Sequence, residues 1–595
     1  MLTGKAPTNP SALPELTIRA VLTGMVIGAL LTPCNVYSGL KIGWTFNMSV
    51  AAGLIGFAVW NGLRHAFGTR AFGLYENNIN QTSVSAAASI VSAGLAAPIP
   101  ALALLTGQTL ALPVLALWLL VVSLLGIVVA AGLRNQLLVR EHLPFPAGVV
   151  TAETMRQIHA GGREAAERVR LLSGCAGLSA VLKVLTTRFA IGPLAPPFSA
   201  TITSTATGGT TSVSAMNLGF ALDPSVLMLG FGAIAGVRIA ASMLLGAVIA
   251  WAVLAPIALA HGWISPGPPD ANVAWFGDLV DWLLWPGATL MVTASLTTFA
   301  VSMARMALRR RKGEPAVLEG ELQTIGHREM LAGLLIVTVL LVATQSALFD
   351  IGLFEGILAV LLSYVLAIVA ARVSGETAIT PIGALGKITQ LTFGAISPGN
   401  VTANLMTANV TGGAAGQCAD LMHDLRTGQL IGATPGFQIV AQLFGVLTGA
   451  FIGAVAYVLL IPDPQAQLIT AEWPAPAVAT WKAVAEVLSQ GVAAMPRGTL
   501  PAILIAVVLG IGLALYDSLS DAPIKRYLPS ASALGFGFVI PAWIAISLFI
   551  GAVLAALVWR FYPKWAQGRV VVVAAGLIVG ESLAGVVGAA YSILS

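Results

Sequence analysis

Charge is scarce in this sequence. Asp, Glu, Lys and Arg make up only 9% of 595 residues, against about 25% in an ordinary soluble protein. A soluble chain of this length needs far more charge to cover its surface, so a soluble globular enzyme is excluded. With 57% apolar residues, a disordered chain is excluded too. Cysteine is equally rare. Cys34, Cys175 and Cys418 lie far apart, which leaves neither a disulfide scaffold nor a CxxC metal or redox pair. The six His are scattered. There is no HExxH (Glu141-His142 lacks its second His), no GxSxG elbow, and no acidic cluster suited to several magnesium ions. No enzyme chemistry, cofactor or resident metal is expected.

What remains is a polytopic all-α membrane protein. A spanning helix needs roughly 20 apolar residues. Segments of that kind fall at 17–34, 38–60, 78–98, 102–133, 170–190, 199–221, 226–260 and 281–304 in the first half. In the second half they fall at 329–348, 353–372, 377–397, 400–423, 434–461, 498–517, 534–558 and 570–593. About 16 spans are therefore expected. Two further segments, Pro144–Ala160 and Trp481–Pro496, are too short or too polar to span cleanly and read as interfacial or re-entrant. The first 16 residues are polar and contain proline, with no apolar core of a cleavable signal. The 63 glycines suit close helix contact in lipid.

Orientation follows the basic residues. A central stretch with Arg305, Arg309, Arg310, Arg311, Lys312 and Arg328 marks the cytoplasmic side, so the net charge of +5 needs no nucleic acid. Arg64 and Arg70, Arg134 and Arg140, and Arg426 agree by parity. The 262–280 and 462–480 loops carry Asp270, Asp278, Asp463 and Glu472 without Lys or Arg, and face outside. The chain then divides into a cytoplasmic segment 1–16, a first membrane half 17–304, a basic linker 305–328 and a second membrane half 329–595. An even count places both termini in the cytoplasm, beneath the inner (plasma) membrane. The Arg560/Lys564/Arg569 loop conflicts with that count. The halves echo one another weakly: Lys41-Ile42-Gly43-Trp44-Thr45-Phe46 against Lys387 to Phe393, and Asn77 to Gln81 against Asn400 to Asn404.

Unpaired polar groups are expensive in lipid, so polar residues inside apolar segments carry the functional signal. Four clusters stand out. The first is Asn35 to Gly43, where Pro33 and the glycines suggest an interrupted helix; Tyr37 and Lys41 lie here, and Lys41 could equally snorkel to an interface. The second is Glu76 to Ser83. Asn77, Asn80, Gln81 and Ser85 share one helix face, either for substrate or for interhelical hydrogen bonds. The third runs from Gly375-Glu376-Thr377 to Lys387 and Gln390. It is no phosphate loop, because Pro381 and Ile388 occupy the positions that motif reserves for Gly and Ser/Thr. The fourth places Asn400 and Asn404 on a polar face that leads to Asp420 and Asp424, which are either an inner-mouth carboxylate pair or a solvated helix end beside Arg426. A run of Thr, Ser and Gly from Thr201 to Asn217 could line an aqueous cavity or simply be tolerated polarity.

Taken together, these segments resemble the oligopeptide transporter (OPT) superfamily, which includes the yellow-stripe-like transporters of metal chelates. The resemblance rests on Asn35–Phe46, Glu76–Thr82, Leu143–Gly148 with Thr151-Ala152-Glu153, Asn217–Phe220, Asp223-Pro224-Ser225, Gly236-Val237-Arg238, Gly375–Gln390, Asp420–Gly428 and Gly580-Glu581-Ser582-Leu583. It covers nearly the whole chain and looks most like the bacterial members. It implies about 16 helices and proton-coupled uptake of small peptides or peptide-like metal chelates. The Asn-Pro-Gly signature of the fungal and plant peptide branch appears only as Ser397-Pro398-Gly399, and its Lys-Ile-Pro-Pro-Arg signature has no counterpart. The substrate stays open between peptide and chelate.

The expected mechanism is secondary symport. Substrate binds mid-membrane near Tyr37, Lys41, Asn77, Asn80, Gln81, Lys387, Gln390, Asn400 and Asn404, with a lysine on its carboxylate. Glu76, Glu376, Asp420 or Asp424 carries the proton, since a buried carboxyl can titrate near neutral pH. A passive channel, or a membrane enzyme acting through Asp420 and Asp424, are the alternatives. A homodimer is a further expectation, because many membrane transporters form them.

Overall fold

The computed structural model describes residues 14–43, 45, 48–160, 162–205, 208–311, 327–377, 380–491, 495–520 and 527–594. Most of the 305–328 linker lies outside them. At helix positions 162–165, 302, 306–307, 309–311, 327, 329, 376–377 and 592–594 only the backbone is described.

The described chain is almost entirely helical. The first half contains α1 (Ile18–Ile42), α2 (Ser49–Phe67), α3 (Leu74–Ala88), α4 (Pro98–Thr106), α5 (Leu112–Arg134), α6 (Pro146–Ala160), α7 (Gly162–Arg188), α8 (Val226–Ala235), α9 (Val237–Ala247), α10 (Ala255–Ala260) and α11 (Phe276–Arg311). The second half contains α12 (His327–Phe349), α13 (Leu353–Thr377), α14 (Ile382–Ile396), α15 (Val401–Ile431), α16 (Pro435–Leu460), α17 (Pro464–Gln467), α18 (Pro476–Gln490), α19 (Thr499–Leu519), α20 (Ala531–Phe538), α21 (Ala542–Phe561), α22 (Pro563–Ala566) and α23 (Val570–Leu594). Among the described residues, twelve helical stretches are long and apolar enough to cross a membrane. The protein is an all-α polytopic membrane protein. α15 is not one of the twelve, yet its 31 residues extend roughly 46 Å at 1.5 Å per residue, and most of them are buried.

Several expected spans differ. α1 passes through Pro33 without a break and stops at Gly43, which takes a left-handed conformation (φ 69°) that glycine adopts without a Cβ clash. The expected interruption near Asn35 is thus displaced to the α1–α2 connection. The 199–221 segment is not a span. Its β-branched threonines form a two-stranded antiparallel hairpin, Ser199–Thr203 (β1) with Thr210–Ser214 (β2). Asn217 anchors the hairpin by accepting from the Ser214 amide at 2.7 Å and donating to the Asp270 and Val273 carbonyls at 2.8 and 2.7 Å. Expected span 226–260 bends at Gly236 (φ 82°) between α8 and α9. α6 and α18 are each 15 residues long, too short to span, as expected.

Small residues set the helix spacing. A Cβ added to Gly445 would lie 2.2 Å from the Ser83 carbonyl oxygen, and one on Gly449 2.5 Å from that of Ala87, so α16 rides directly on α3. α23 packs the same way: Gly576 meets Leu172 and Gly580 meets Ala176 of α7. The Tyr37 ring of α1 lies against Gly585, and the Cys34 thiol of α1 points at the Val579 carbonyl. Arg569, just before α23, pairs with Glu167 near the start of α7 at 3.0 Å. Hence α1, α7 and α23 run in the same direction. The described start of α1 and end of α23 lie at opposite ends of the bundle, not on one side as span parity suggested.

Candidate functional site

The chain between α16 and α18 folds back into the bundle. Asp463 caps α17 by accepting from the Gln465 and Ala466 amides, and Gln465 donates to the Ala103 carbonyl at the end of α4. The segment then returns until the Ala475 amide bonds the Leu40 carbonyl at 3.0 Å, beside the last turn of α1. Two non-glycine residues take positive φ on the way, Ile469 at 59° and Ala475 at 43°. Such conformations cost on the order of 1 kcal/mol or more each and persist only where surrounding structure enforces them. From that tip α18 leads along α14, with Gly386 against the Trp481 ring and Gly394 against Leu488.

Two lysines meet this re-entrant segment. Lys41 Nζ lies 4.9 Å from the Trp473 ring centre and 5.7 Å from that of Tyr37, and donates to the Glu472 carbonyl. Tyr37 and Trp473 meet edge to face at 5.3 Å. Lys387 Nζ lies 4.4 Å from the Trp481 ring centre and is only 4% exposed. Among the described residues no carboxylate forms an ion pair with Lys387. Gln390 and Asn404 complete the layer. Gln390 Nε2 donates to Asn404 Oδ1 (3.1 Å) and the Trp481 carbonyl (3.2 Å), and Asn404 Nδ2 donates to the Gln390 carbonyl (2.6 Å). Five of the nine residues expected to bind substrate (Tyr37, Lys41, Lys387, Gln390 and Asn404) thus adjoin one segment. Asn400 instead caps α15, accepting from the Ala403 amide at 2.9 Å.

The other three expected binding residues lie in a second polar layer, where α2, α3 and α15 meet. Gln81 Nε2 donates to Asp424 Oδ1 at 2.5 Å, and the Ser49 hydroxyl approaches the same oxygen at 3.4 Å. Asp424 is 1% exposed, and its Oδ2 has no hydrogen-bond partner among the described residues. Asp420 lies one turn away on α15, half-buried. Asn77 and Asn80 bond the Gly53 and Ala52 carbonyls of α2, at 3.0 and 3.2 Å. Asn77 Nδ2 also meets His159 Nε2 at 3.2 Å. Burial lowers the His159 pKa to about 4, so the ring is neutral near pH 7 and can accept. Glu76 is occupied: Arg19 pairs with it at 2.5 Å, Arg70 at 3.2 Å, and Thr17 donates at 2.8 Å. The side chain of Glu376 lies outside the described residues.

A third polar cluster was not singled out as a site from sequence. Lys183, Thr186, Asp223, Ser225 and Glu581 line a cavity of about 70 Å³ between α7, α23 and the start of α8. The available signal was charge in apolar helices. Glu581 is the sole charged residue of α23.

Residues 15–591 match the family described as OPT oligopeptide transporter protein. The chain belongs to that family. A Saccharomyces cerevisiae protein named for oligopeptide transport is 24% identical, over 97% of this chain and 96% of its own length. A protein of Oryza sativa subsp. japonica named for metal-nicotianamine transport is 24% identical over 96% of this chain and 89% of its own. An Arabidopsis thaliana protein, also named for metal-nicotianamine transport, is 25% identical over 98% and 92%. For an OPT-family transporter the layered polar groups are the chemistry to account for. Among the described residues no three His, Cys, Asp or Glu side chains gather to hold a metal ion.

Proposed function

We propose that this transporter is a proton-coupled symporter of small oligopeptides or peptide-like anions in the inner (plasma) membrane. The observation that carries the reading is Lys387, a nearly dry lysine whose described contact is an indole face. A charge in a membrane interior normally finds a partner or marks a substrate path. Lys387 and Lys41 each present an ammonium beside an aromatic wall, which suits a peptide carboxylate with an apolar side chain next to it. Gln390 and Asn404 supply hydrogen bonds for the peptide backbone.

Asp424 is the proton site in this reading. It is buried, hydrogen-bonded on one oxygen and free on the other, so it can gain a proton without breaking an existing bond. Rocking of one helix group against the other then alternates access. The cytoplasmic face is the end that carries Arg19, Arg64, Arg70 and, through α23, Arg569 with its neighbours Arg560 and Lys564, in keeping with the positive-inside pattern. Two related halves, a homodimer and a bacterial affiliation are further parts of the proposal. The affiliation draws on the missing fungal and plant signatures.

The second reading is uptake of metal chelates, favoured by the plant relatives. A chelate also offers carboxylates to Lys41 and Lys387, and metal then enters as cargo. Uptake into proteoliposomes with an imposed pH gradient separates the two. Accumulation of labelled tri- or tetrapeptides supports the first reading. Accumulation of an iron or nickel chelate alone moves the protein to the second.

A further inference from the structure

The cavity between α7, α23 and the loop before α8 lies next to the lysine layer. A Cβ added at Gly585, one turn beyond Glu581, would sit 2.9 Å from the Tyr37 ring, and Tyr37 in turn packs on Trp473. Tyr37 thus lies between the Trp473 wall and the turn of α23 that follows the cavity's Glu581.

The lining is built rather than incidental. Glu581 is 5% exposed. Its Oε1 accepts from the Ser225 hydroxyl at 2.7 Å and its Oε2 from the Leu227 amide at 2.8 Å, so the first turn of α8 fixes the carboxylate in place. Asp223 Oδ1 accepts from the Ser225 amide at 3.2 Å, which turns the loop toward the cavity. Lys183 shares the lining, yet no ion pair joins it to either carboxylate among the described residues. With two carboxylates and one ammonium, the lining carries one net negative charge. Its volume of about 70 Å³ is several times the roughly 10–15 Å³ that one water needs. An ammonium with its adjacent carbons fits that space; a whole peptide does not.

We infer that this cavity is an ammonium subsite that holds the free amino terminus of the transported peptide on Asp223 and Glu581, while the chain extends past Tyr37 toward Lys41. This rests on the peptide reading above. It adds an orientation, amino end at α7 and α23 and carboxyl end at the re-entrant segment. It also adds a substrate requirement, an unblocked amine. Lys183 moderates the field, so that a neutral residue there tightens the grip on an ammonium.

The test uses the full chain in proteoliposomes with trialanine and N-acetyl-trialanine as probes, each competing against labelled trialanine. The wild type should prefer the free amine by about tenfold to a hundredfold, the worth of a charge-assisted hydrogen bond. Asp223→Asn should lose most of that preference by weakening trialanine alone. Lys183→Met, on a half-exposed helix face, should increase the preference, which guards against an Asp223 variant that merely misfolds. Equal competition by both probes in the wild type would overturn the subsite and leave peptide transport standing. So would a Lys183→Met protein with unchanged preference. Failure of the wild type to take up trialanine at all, with chelate uptake intact, would remove the peptide reading and this subsite together.

Discussion

Lys387→Met separates a binding lysine from a structural one. A charged side chain at membrane depth costs roughly 2.5–3.5 kcal/mol on insertion scales. A desolvated cation–π contact such as that on Trp481 returns about 2 kcal/mol. The ammonium therefore stands about 1 kcal/mol against the fold. Methionine keeps an unbranched apolar stem against Trp481 and removes both terms, so stability should hold or rise by about 1 kcal/mol. Binding should move the other way. Loss of a charge-assisted hydrogen bond to a substrate carboxylate is worth about 1.5–3 kcal/mol, or roughly tenfold to a hundredfold in affinity. Thermal unfolding of the purified protein and competition by trialanine and its carboxy-terminal amide read the two quantities. The variant should melt no lower than wild type, bind trialanine weakly, and bind the amide unchanged. A lower melting temperature with wild-type affinity for both peptides would refute the reasoning and make Lys387 part of the scaffold.

Three further outcomes follow from the packing and the charges. Asp424→Asn should abolish accumulation driven by a pH gradient while leaving substrate exchange across the membrane, measured as counterflow; retained gradient-driven uptake counts against Asp424 as the proton site. Glu76→Gln should destabilise the α1–α3 contact by about 2 kcal/mol, because the Arg19 and Arg70 pairs are lost and Arg19 is 21% exposed, which moderates the penalty of a buried unpaired charge. Folded Glu76→Gln protein should keep its pH dependence, read by the same uptake assay. Gly232→Ala should destabilise by about 1–3 kcal/mol, since its Cβ would lie 1.9 Å from the Leu548 carbonyl oxygen, whereas Gly512→Ala has open space and should be neutral or mildly stabilising in the same melting assay.

The polar stripes were legible because lipid forbids them elsewhere. Asn77, Asn80 and Gln81 share the face that spacing assigned to them, and all three are fully buried. Gln390 and Asn404, 14 residues apart, bond each other. What sequence could not show was long-range pairing. Lys41 meets Trp473 only because the chain re-enters the bundle more than 400 residues later, and no periodicity encodes that contact. The Thr/Ser/Gly stretch gave the wrong element for a similar reason. It is held as a hairpin by Asn217 bonding to carbonyls more than 50 residues away. The conflict over Arg560, Lys564 and Arg569 has a different source: the expected span 534–558 is two helices, α20 and α21, and α23 starts at the same end as α7.

The separation of the two polar layers constrains how coupling could work. Asp424 and Asn404 are both on α15 and 20 residues apart, so they lie roughly 30 Å from each other along one helix. A proton on Asp424 therefore cannot touch a substrate held by Lys387, Gln390 and Asn404, and direct neutralisation of the substrate is excluded as the coupling step. Under the proposed symport, the link is then a shared preference of proton and substrate for one helix arrangement. α15 is suited to that, because it carries groups of both layers. Its middle glycines also let neighbours approach closely: a Cβ on Gly413 would lie 2.4 Å from Val122 of α5, and one on Gly416 2.7 Å from Ser92. A close-packed helix of this kind changes partners in steps rather than by gradual bending. Binding linkage reads this directly. In the wild type, lowering the pH should tighten trialanine binding by about fivefold or more, the usual size of a coupling between distant sites. In Asp424→Asn the affinity should be independent of pH, because the titrating group is gone while every substrate contact remains. An affinity in that variant that still follows pH would place the coupling proton on another group.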